Sequence, residues 1–264
     1  MLATHQQEQV AALKKWFGSR QKVAVAFSGG VDSSLLLFLG SQVLGPHCLG
    51  IFALSPLMSR YQLETARNFG RTHNLPLAER LFSPFDLPGF SENRDDRCYI
   101  CKKGLYGQMK EGLAPGWHLA DGTNLDDNPA ERPGFQAILE LGIATPFLDC
   151  RIGKRQIREM SRALGLSTWD LPSDSCLATR IPRYNALTKE GLRKVEGAEE
   201  VLRNLGFAGG RARLQDDTIL LTFQQGDLER ALRAEVRRNI EKKMRERGFS
   251  KFFLDLSERQ GILP

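Results

Sequence analysis

The chain has 264 residues, of which 41% are hydrophobic and 26% are charged. This composition is ordinary for a globular protein with a sizeable core and argues against disorder. The length suits one large α/β domain with a smaller second unit. No apolar run approaches the roughly 18 residues of a membrane span, and the start has no basic-then-apolar signal pattern. We therefore expect a cytoplasmic protein without a membrane partner.

The net charge is +6, and the chain contains five cysteines. A positive charge favours an anionic partner but does not separate a nucleotide from RNA. Without a secretion signal the cysteines are expected in a reducing compartment, where clustered thiols point to catalysis or metal binding rather than to disulfides.

The first two thirds of the chain alternate between short apolar runs and helical patterns. Val23–Phe27 is a fully apolar run that ends at a Ser-Gly-Gly turn, which is typical of a buried parallel strand that leads into a helix. The further predicted strands are Cys48–Leu54, Leu77–Phe82 and Trp117–Ala120, and the predicted helices are Ser33–Gly40, Ser59–His73 and Gly153–Leu164. This order predicts a doubly wound parallel sheet that binds ligands at the carboxyl ends of its strands.

A proline-interrupted segment, Leu171–Pro182, cannot continue a helix and is interpreted as a long functional loop. We place the domain boundary at its start, giving domains 1–170 and 171–264. The second domain is predicted to be a small α+β unit. Its predicted elements are a helix at Thr188–Leu205, strands at Arg211–Leu214, Thr218–Phe223 and Phe252–Leu256, and a basic helix at Asp227–Arg247.

The segment Ser28–Ser34 joins the first strand to its helix, so its backbone N–H groups and the helix dipole favour a bound phosphate. Asp32 would repel phosphate, and its expected role is to hold Mg²⁺ or to cap the helix. The Gly-Lys-Ser/Thr ending of a Walker motif is missing, which argues against phosphoryl transfer. The residue pattern Ser-Gly-Gly-x-Asp-Ser resembles the PP-loop of ATP pyrophosphatases, which release AMP and pyrophosphate. The predicted ATP-binding residues of this loop are Ser28, Gly29, Gly30, Asp32, Ser33 and Ser34.

A second loop, Asp121–Asp127, follows another predicted strand and is expected on the same rim of the sheet. PP-loop enzymes carry a similar stretch beside the nucleotide. By that resemblance Asn124 contacts ATP, and Asp126 is a carboxylate for Mg²⁺ or substrate. Taken alone, the loop could also be a solvated turn rich in Asn and Asp.

Three cysteines carry a further signal. Cys98 and Cys101 form a Cys-x-x-Cys pair, and Cys176 lies in the proline-rich segment. A thiol redox pair needs only the first two, whereas three thiolates suit a 4Fe-4S cluster with one open iron. A fourth ligand for zinc is harder to find, because Cys48 and Cys150 lie in apolar or structural sequence.

With these residues the chain resembles the LarE-type sulfur transferases of the PP-loop family over most of its length. The matching blocks are Ser28–Ser34, Arg97–Lys102, Asp126–Gly134 and Trp169–Arg180. The resemblance implies adenylation of the carboxylates of pyridinium biscarboxylic acid mononucleotide and their conversion to thiocarboxylates. The product is a precursor of the nickel-pincer nucleotide cofactor used by lactate racemase.

The resemblance also implies roles for the thiols. Family members with one cysteine, at the position of Cys176, sacrifice its sulfur and leave dehydroalanine. Members with three cysteines are thought to hold a 4Fe-4S cluster that presents a sulfide, so Cys98, Cys101 and Cys176 are the implied ligands, with Cys176 and Asp32 as catalytic residues. Sulfide or a sulfur-donor protein would refill the site, and the family forms homo-oligomers.

Arg211 and Arg213 alternate on a predicted strand and are interpreted as a clamp for the substrate phosphate, as an Arg-x-Arg pair is in the family. Two solvated surface arginines are the simpler interpretation. The chain then departs from the family at Thr218–Thr222, where an Arg and a Glu are missing, although Glu199 still matches a family Glu.

Other functions fit parts of the sequence. A PP-loop tRNA thiolase with a cluster could use the basic helix as an RNA surface, but glutamates interrupt that helix and no aromatic residues are interleaved for base stacking. An amide-forming ligase such as an NAD synthetase would not need three cysteines. A carrier that binds nucleotide or cluster without catalysis is disfavoured by the intact phosphate loop.

Overall fold

The structure is a computed structural model that describes residues 3–127, 133–172 and 174–257. The chain divides into two compact units between Leu171 and Pro172, beside the boundary predicted after Asp170. The short segment Ser91–Asn93 belongs to the second unit. Of the sequence blocks that carry the family resemblance, residues 128–132 and Ser173 lie outside the described part of the chain.

The first unit is built on a parallel sheet of four strands in the order β3-β2-β1-β4. In the central strand β1, Val25 is opposite Gly50 of β2 and Ala120 of β4. All four strands run in one direction, so the loops that follow β1 and β4 leave the same edge of the sheet. The strands are β1 (Lys22–Phe27), β2 (Cys48–Leu54), β3 (Leu77–Leu81) and β4 (Trp117–Ala120).

Helices cover both faces of this sheet. On one face Val23, Val25 and Phe27 pack in a core with side chains of the first, second and seventh helices, while Ala24 faces the opposite core with Tyr106. Because helices cover both faces of the sheet, β1 is apolar from Val23 to Phe27 instead of alternating between apolar and polar residues. The helices are α1 (Thr4–Gly18), α2 (Val31–Leu44), α3 (Arg60–Thr72), α4 (Arg97–Glu111), α5 (Pro133–Glu140), α6 (Pro146–Asp149) and α7 (Lys154–Ala163).

The second unit is α+β, with a three-stranded sheet in the order β5-β6-β7. Strands β5 and β6 are antiparallel, and β6 and β7 are parallel. In β6, Ile219 and Leu221 are buried in the core of this unit, so the segment that departs from the family pattern has a packing role here. The elements are α8 (Lys189–Asn204), β5 (Arg211–Gln215), β6 (Thr218–Thr222), α9 (Asp227–Leu232), α10 (Ala234–Glu246) and β7 (Phe252–Leu254).

The predicted basic helix Asp227–Arg247 is two helices, separated at Arg233, whose backbone is extended. In one straight helix, at about 100° per residue, Leu228 and Ala231 would face away from Ile240 and Met244. All four are buried in the same core. The break therefore turns both apolar stripes toward one interior.

The predicted fold class, a doubly wound parallel sheet with a smaller α+β unit, is confirmed. The predicted elements do not include the helix of the Cys-x-x-Cys pair, α4, whose interior Gly104 and Gly107 each lower helix propensity by about 1 kcal/mol. The structure explains Gly104: a Cβ there would lie 2.6 Å from Leu87. Within the described residues, no helix is both long enough and apolar enough to cross a membrane.

Candidate active site

The loop after β1 is held in a conformation that requires glycine. Gly29 has a φ of +78°, and a Cβ at this position would lie 2.8 Å from the Cβ of Ala66 on α3. Gly30 is the N-cap of α2, and a Cβ there would meet nothing closer than the Ser28 Oγ at 3.5 Å. Gly29 thus fits the loop against α3, while Gly30 leaves the helix N-terminus open to a ligand.

Hydroxyl groups line this loop. The Ser33 Oγ lies 3.2 Å from the Ser28 Oγ, accepts a hydrogen bond from the Ser28 backbone N–H, and donates to the Gly30 carbonyl. The buried Ser34 Oγ has no hydrogen-bond partner in the described structure. Since buried hydroxyls are normally satisfied, this unmet group fits a site that is completed by a phosphate oxygen.

Asp32 projects from the first turn of α2 and forms an ion pair with a lysine that sequence reasoning missed. The Lys154 Nζ donates to the Asp32 Oδ2 at 2.5 Å. The Asp32 Oδ1 is buried without a hydrogen-bond partner among the described residues. Burial raises the pKa of Asp32, and Lys154 only partly offsets that increase.

A buried carboxylate oxygen without a partner fits a divalent cation. Mg²⁺ in nucleotide sites is commonly held by one or two carboxylates together with substrate phosphates. Asp32 could therefore hold the ion without a cluster of acidic side chains. Asp32 also lies in the first turn of α2.

The second loop packs directly against the first. A Cβ on Gly122 would lie 3.0 Å from the Asp32 Cβ and 3.3 Å from the Ser33 N. The buried Asn124 accepts a hydrogen bond at Oδ1 from the Asp126 N–H at 3.0 Å. The expected proximity of the two loops is therefore present in the structure.

The carboxylate of Asp126 accepts from the backbone N–H of Lys154 at 2.5 Å, at the start of α7. A Cβ on Gly153 would lie 2.9 Å from the Asp126 Oδ2, so glycine permits this approach. Asp126 thus fixes the N-terminus of α7, and with it the backbone of Lys154. Its predicted contact with Mg²⁺ or substrate stays a prediction.

The second loop is also tied to α4. The Asp121 Oδ1 accepts from the Thr123 N–H at 2.7 Å, and its Oδ2 accepts from the buried Tyr106 hydroxyl. Burial alone would raise the pKa of Asp121, but Lys102 at 3.8 Å and these hydrogen bonds hold it below its usual value. An ionised Asp121 therefore connects this second loop to the helix that carries two cysteines.

Cys98 and Cys101 lie in the first and second turns of α4, three residues apart and half-buried. Residues at this spacing are neighbours on a helix surface. The Nη2 of the buried Arg97 lies 4.0 Å from the Cys98 Sγ. In the described parts of the chain, no three His, Cys, Asp or Glu side chains are arranged to hold a metal ion.

A cavity of about 570 Å³ lies where β2 and β3 end, and β2 is paired with β1, the strand that leads into the Ser28–Ser34 loop. Leu54, Phe82 and Leu87 form apolar walls, and Asp86 and Ser83 add polar groups. The Ser83 Oγ is buried and has no partner among the described residues. An apolar cavity with a few polar groups is the usual form of a small-molecule site.

In the second unit Cys176 is half-buried and precedes the short 3-10 turn Leu177–Arg180. Its carbonyl accepts from the Thr179 N–H at 3.0 Å and from the Thr179 hydroxyl at 2.8 Å. The turn ends at Arg180, whose Nε donates to the Glu199 Oε1 at 2.7 Å. Both partners of this ion pair are buried.

The predicted phosphate clamp is asymmetric. Arg211 is buried and its Nη2 lies 3.0 Å from the Asp174 Oδ1, whereas Arg213 is exposed. The same Asp174 oxygen accepts from the Arg180 Nη2 at 2.9 Å. Glu199, which matches a family Glu, therefore belongs to a network with two buried arginines and the partly exposed carboxylate of Asp174. Substrate binding by Arg211 and Arg213 stays a prediction.

Lys154 and Arg180 were missed for different reasons. Lys154 is one of several basic residues of α7, and no local pattern separates it from Arg155 or Arg158. Its role depends on a contact with Asp32, 122 residues away. Arg180 lies within a block recognised by resemblance, but only its burial reveals the network.

Comparison with models of known protein families gives no match. Among individual relatives, an uncharacterized protein of Methanocaldococcus jannaschii is 33% identical over 247 residues, which cover 92% of each chain. The pyridinium-3,5-bisthiocarboxylic acid mononucleotide synthase of Lactiplantibacillus plantarum is 30% identical over 219 residues, covering 82% of this chain and 78% of the relative.

A more distant relative is one component of the glutamine-hydrolyzing GMP synthase of Thermoplasma volcanium. It is 27% identical over 201 residues, covering 69% of this chain and 63% of the relative. Both of these relatives with named activities are synthases, which supports the prediction that this chain is an enzyme that uses ATP.

Proposed function

Since the chain belongs to the LarE-type family of PP-loop enzymes, we propose that it adenylates the carboxylates of a pyridinium mononucleotide and replaces the activated oxygen with sulfur. The observation that carries this proposal is the junction of the phosphate loop, Asp32 and Lys154. It combines an open helix N-terminus, unmet hydroxyl and carboxylate oxygens, and one ammonium group.

The first step is attack of a substrate carboxylate oxygen on the α-phosphorus of ATP. A new P–O bond forms, the bond between the α-phosphorus and pyrophosphate breaks, and the product is an acyl-adenylate. The N–H groups at the start of α2 and the Lys154 ammonium would stabilise the charge that develops on pyrophosphate. Mg²⁺ held by Asp32 would neutralise part of that phosphate charge.

The second step replaces AMP. A sulfur nucleophile attacks the acyl carbon, the C–O bond to AMP breaks, and a thiocarboxylate or a thioester remains. Adenylation is needed because a carboxylate oxygen is a poor leaving group, whereas AMP leaves readily. If Cys176 supplies its own sulfur, a base removes its Cα proton, the Cβ–S bond breaks, the thiocarboxylate leaves and dehydroalanine remains.

The second part of the proposal is that a 4Fe-4S cluster delivers the sulfur that replaces AMP. Cys98 and Cys101 are thiols three residues apart on α4, and Cys176 is a third thiol, so the donor chemistry suits an iron-sulfur cluster. When bound, such a cluster would supply a sulfide from its open iron. Sulfide or a sulfur-donor protein would then replace the sulfur after each cycle.

The base of ATP would lie in the cavity at the ends of β2 and β3. The phosphate loop follows β1, and neighbouring strands are about 4.8 Å apart, so a single nucleotide can reach from one place to the other. The apolar walls at Leu54 and Phe82 suit a flat base, and the unmet Ser83 hydroxyl would bind one of its nitrogen atoms.

A cytoplasmic homo-oligomer is also proposed, on the resemblance alone.

RNA is a weaker candidate substrate. In α10 the side chains of Lys243 and Arg245 are already paired with glutamates at 2.8 Å and 3.2 Å. These pairs reduce the positive charge that a nucleic acid would meet.

The test is product analysis under anaerobic conditions. Purified protein is incubated with ATP, Mg²⁺, sulfide and pyridinium biscarboxylic acid mononucleotide, and pyrophosphate and thiocarboxylate are measured. Iron and acid-labile sulfide are determined in parallel for the wild type, Cys176→Ala and Cys150→Ala. Cys150, a half-buried thiol outside the predicted site, is the matched control.

We expect several thiocarboxylates per chain, roughly four irons per chain, and loss of iron in Cys176→Ala but not in Cys150→Ala. Loss of about 34 mass units from Cys176 after one turnover, without iron, would replace the cluster by the sacrificial mechanism. Absence of substrate-dependent pyrophosphate release would refute the adenylation itself, and thiolation of tRNA would then be assayed.

A further inference from the structure

Asp174 lies between two buried guanidinium groups. Its Oδ1 is 2.9 Å from the Arg180 Nη2 and 3.0 Å from the Arg211 Nη2. Each of these arginines is only 4% exposed. One carboxylate oxygen therefore occupies an anion position formed by two cations that water hardly reaches.

The two carboxylates of the network are not equivalent. Glu199 is 3% exposed and also accepts from the Ala212 N–H at 3.3 Å, which fixes it between α8 and β5. The Asp174 side chain is 23% exposed. Asp174 is thus the anion that a ligand can reach and replace.

Asp174 is one of the two carboxylates that face Arg180 and Arg211 in this network, and Arg203 adds a further positive charge near Arg211. Burying an uncompensated charge is costly, so departure of Asp174 requires another anion in its position. A phosphate monoester has more acceptor oxygens and more charge than a carboxylate, and guanidinium groups bind it well.

Arg180 connects this position to the segment that carries Cys176. Its Nη1 donates to the Ser175 carbonyl at 3.1 Å and to the Ser175 Oγ at 2.7 Å. Asp174 and Ser175, the two residues before Cys176, are therefore both held by one guanidinium. Any exchange of ligands at Arg180 and Arg211 acts on the backbone that leads to the thiol.

We propose that the phosphate of the mononucleotide substrate displaces the Asp174 carboxylate from Arg180 and Arg211, and that this exchange frees the segment before Cys176. The inference rests on the proposed function for its substrate class, a pyridinium mononucleotide. It adds Arg180 to the phosphate site and couples substrate recognition to release of the sulfur-bearing segment.

The experiment uses the full chain without ATP, so that it does not depend on adenylation. Binding of inorganic phosphate and of nicotinic acid mononucleotide is measured by calorimetry for the wild type, Asp174→Asn, Arg211→Gln and Asp217→Asn. Asp217, an exposed carboxylate 3.7 Å from Lys194, is the control for loss of one negative charge. Hydrogen exchange of peptides that cover residues 174–180 is followed with and without each ligand.

We expect Asp174→Asn to bind both ligands about tenfold more tightly, equivalent to about 1.4 kcal/mol, because the competing anion is lost. Arg211→Gln should bind neither, and Asp217→Asn should match the wild type. In the wild type, either ligand should speed exchange at residues 174–180. In Asp174→Asn, exchange should be fast even without ligand.

Unchanged or weaker ligand binding by Asp174→Asn would overturn the inference, as would ligands that slow exchange at residues 174–180 in the wild type. Asp174 would then only anchor the segment. The wild-type exchange measurement decides the matter even if Asp174→Asn does not fold. If phosphate displaces Asp174 as expected but no thiocarboxylate forms in the product assay, the proposed function is refuted and this inference still stands.

Discussion

The Lys154 ammonium lies 2.5 Å from the Asp32 carboxylate, although the two residues are 122 positions apart in the chain. This contact joins the start of α7 to the start of α2. The pair is partly buried, with side-chain exposures of 21% and 25%. A phosphate that enters between these helix termini would meet both the ammonium and the N–H groups of α2.

Replacing Lys154 by Met should lower the rate of pyrophosphate release by about 10² to 10³, the usual effect of removing one preorganised hydrogen-bond donor to the charge of a transition state. Arg155→Met is the matched control, because Arg155 is 74% exposed and pairs with Glu159 on the surface. Pyrophosphate release at saturating ATP measures the effect. Equal rates for the two variants would show that Lys154 does not act on the phosphates.

Replacing Gly29 by Ala should destabilise the first unit by about 1 to 3 kcal/mol, because φ is positive and the new methyl group meets Ala66 at 2.8 Å. Gly30→Ala is the control, since its φ is −77° and its surroundings are open. Urea unfolding measures both. Similar losses in the two variants would contradict the close packing of Gly29 on α3.

The ion pair of Arg180 and Glu199 should matter far more than a neighbouring surface pair. Glu199→Leu should destabilise the protein by about 3 to 5 kcal/mol, because it leaves a buried guanidinium uncompensated. Glu200→Leu removes a carboxylate that pairs with Arg247 at the surface and should cost about 0 to 1 kcal/mol. Thermal unfolding of both variants decides whether burial sets the difference.

The hydrogen bonds between α4 and α5 should make the free energy of unfolding depend on pH. Hydrogen bonds from Lys103, Tyr99 and Gln136 lower the pKa of Glu140 to about 2 from a usual value of 4.5. A lowered pKa stabilises the folded state above pH 4.5, and that contribution is lost as the pH falls toward 2.

Glu140→Gln should therefore be less stable than the wild type at about pH 6, and the difference should shrink steadily between about pH 4.5 and pH 2. Equilibrium unfolding at several pH values provides the comparison. A difference that stays constant through this range would show that the charge of Glu140 is not the cause.

The sequence by itself determined the alternating order of strands and helices in the first unit. An apolar strand, a Ser-Gly-Gly turn and a following helix are local features, and local steric preferences fix them within a few residues. The same locality explains why Ser28–Ser34 and Asp121–Asp127 could be placed at strand ends. The predicted elements do not include α4, whose interior Gly104 packs on Leu87 and lowers helix propensity.

Only the tertiary structure decided which distant charges meet. Asp32 pairs with Lys154, 122 residues away, and Asp174 pairs with Arg211 of β5 as well as with the nearby Arg180. The basic residues of α7 look alike when only local sequence is compared. The break at Arg233 likewise depends on one core that both α9 and α10 must reach. Ion pairs and burial are set by three-dimensional proximity and desolvation, which residue type and spacing do not encode.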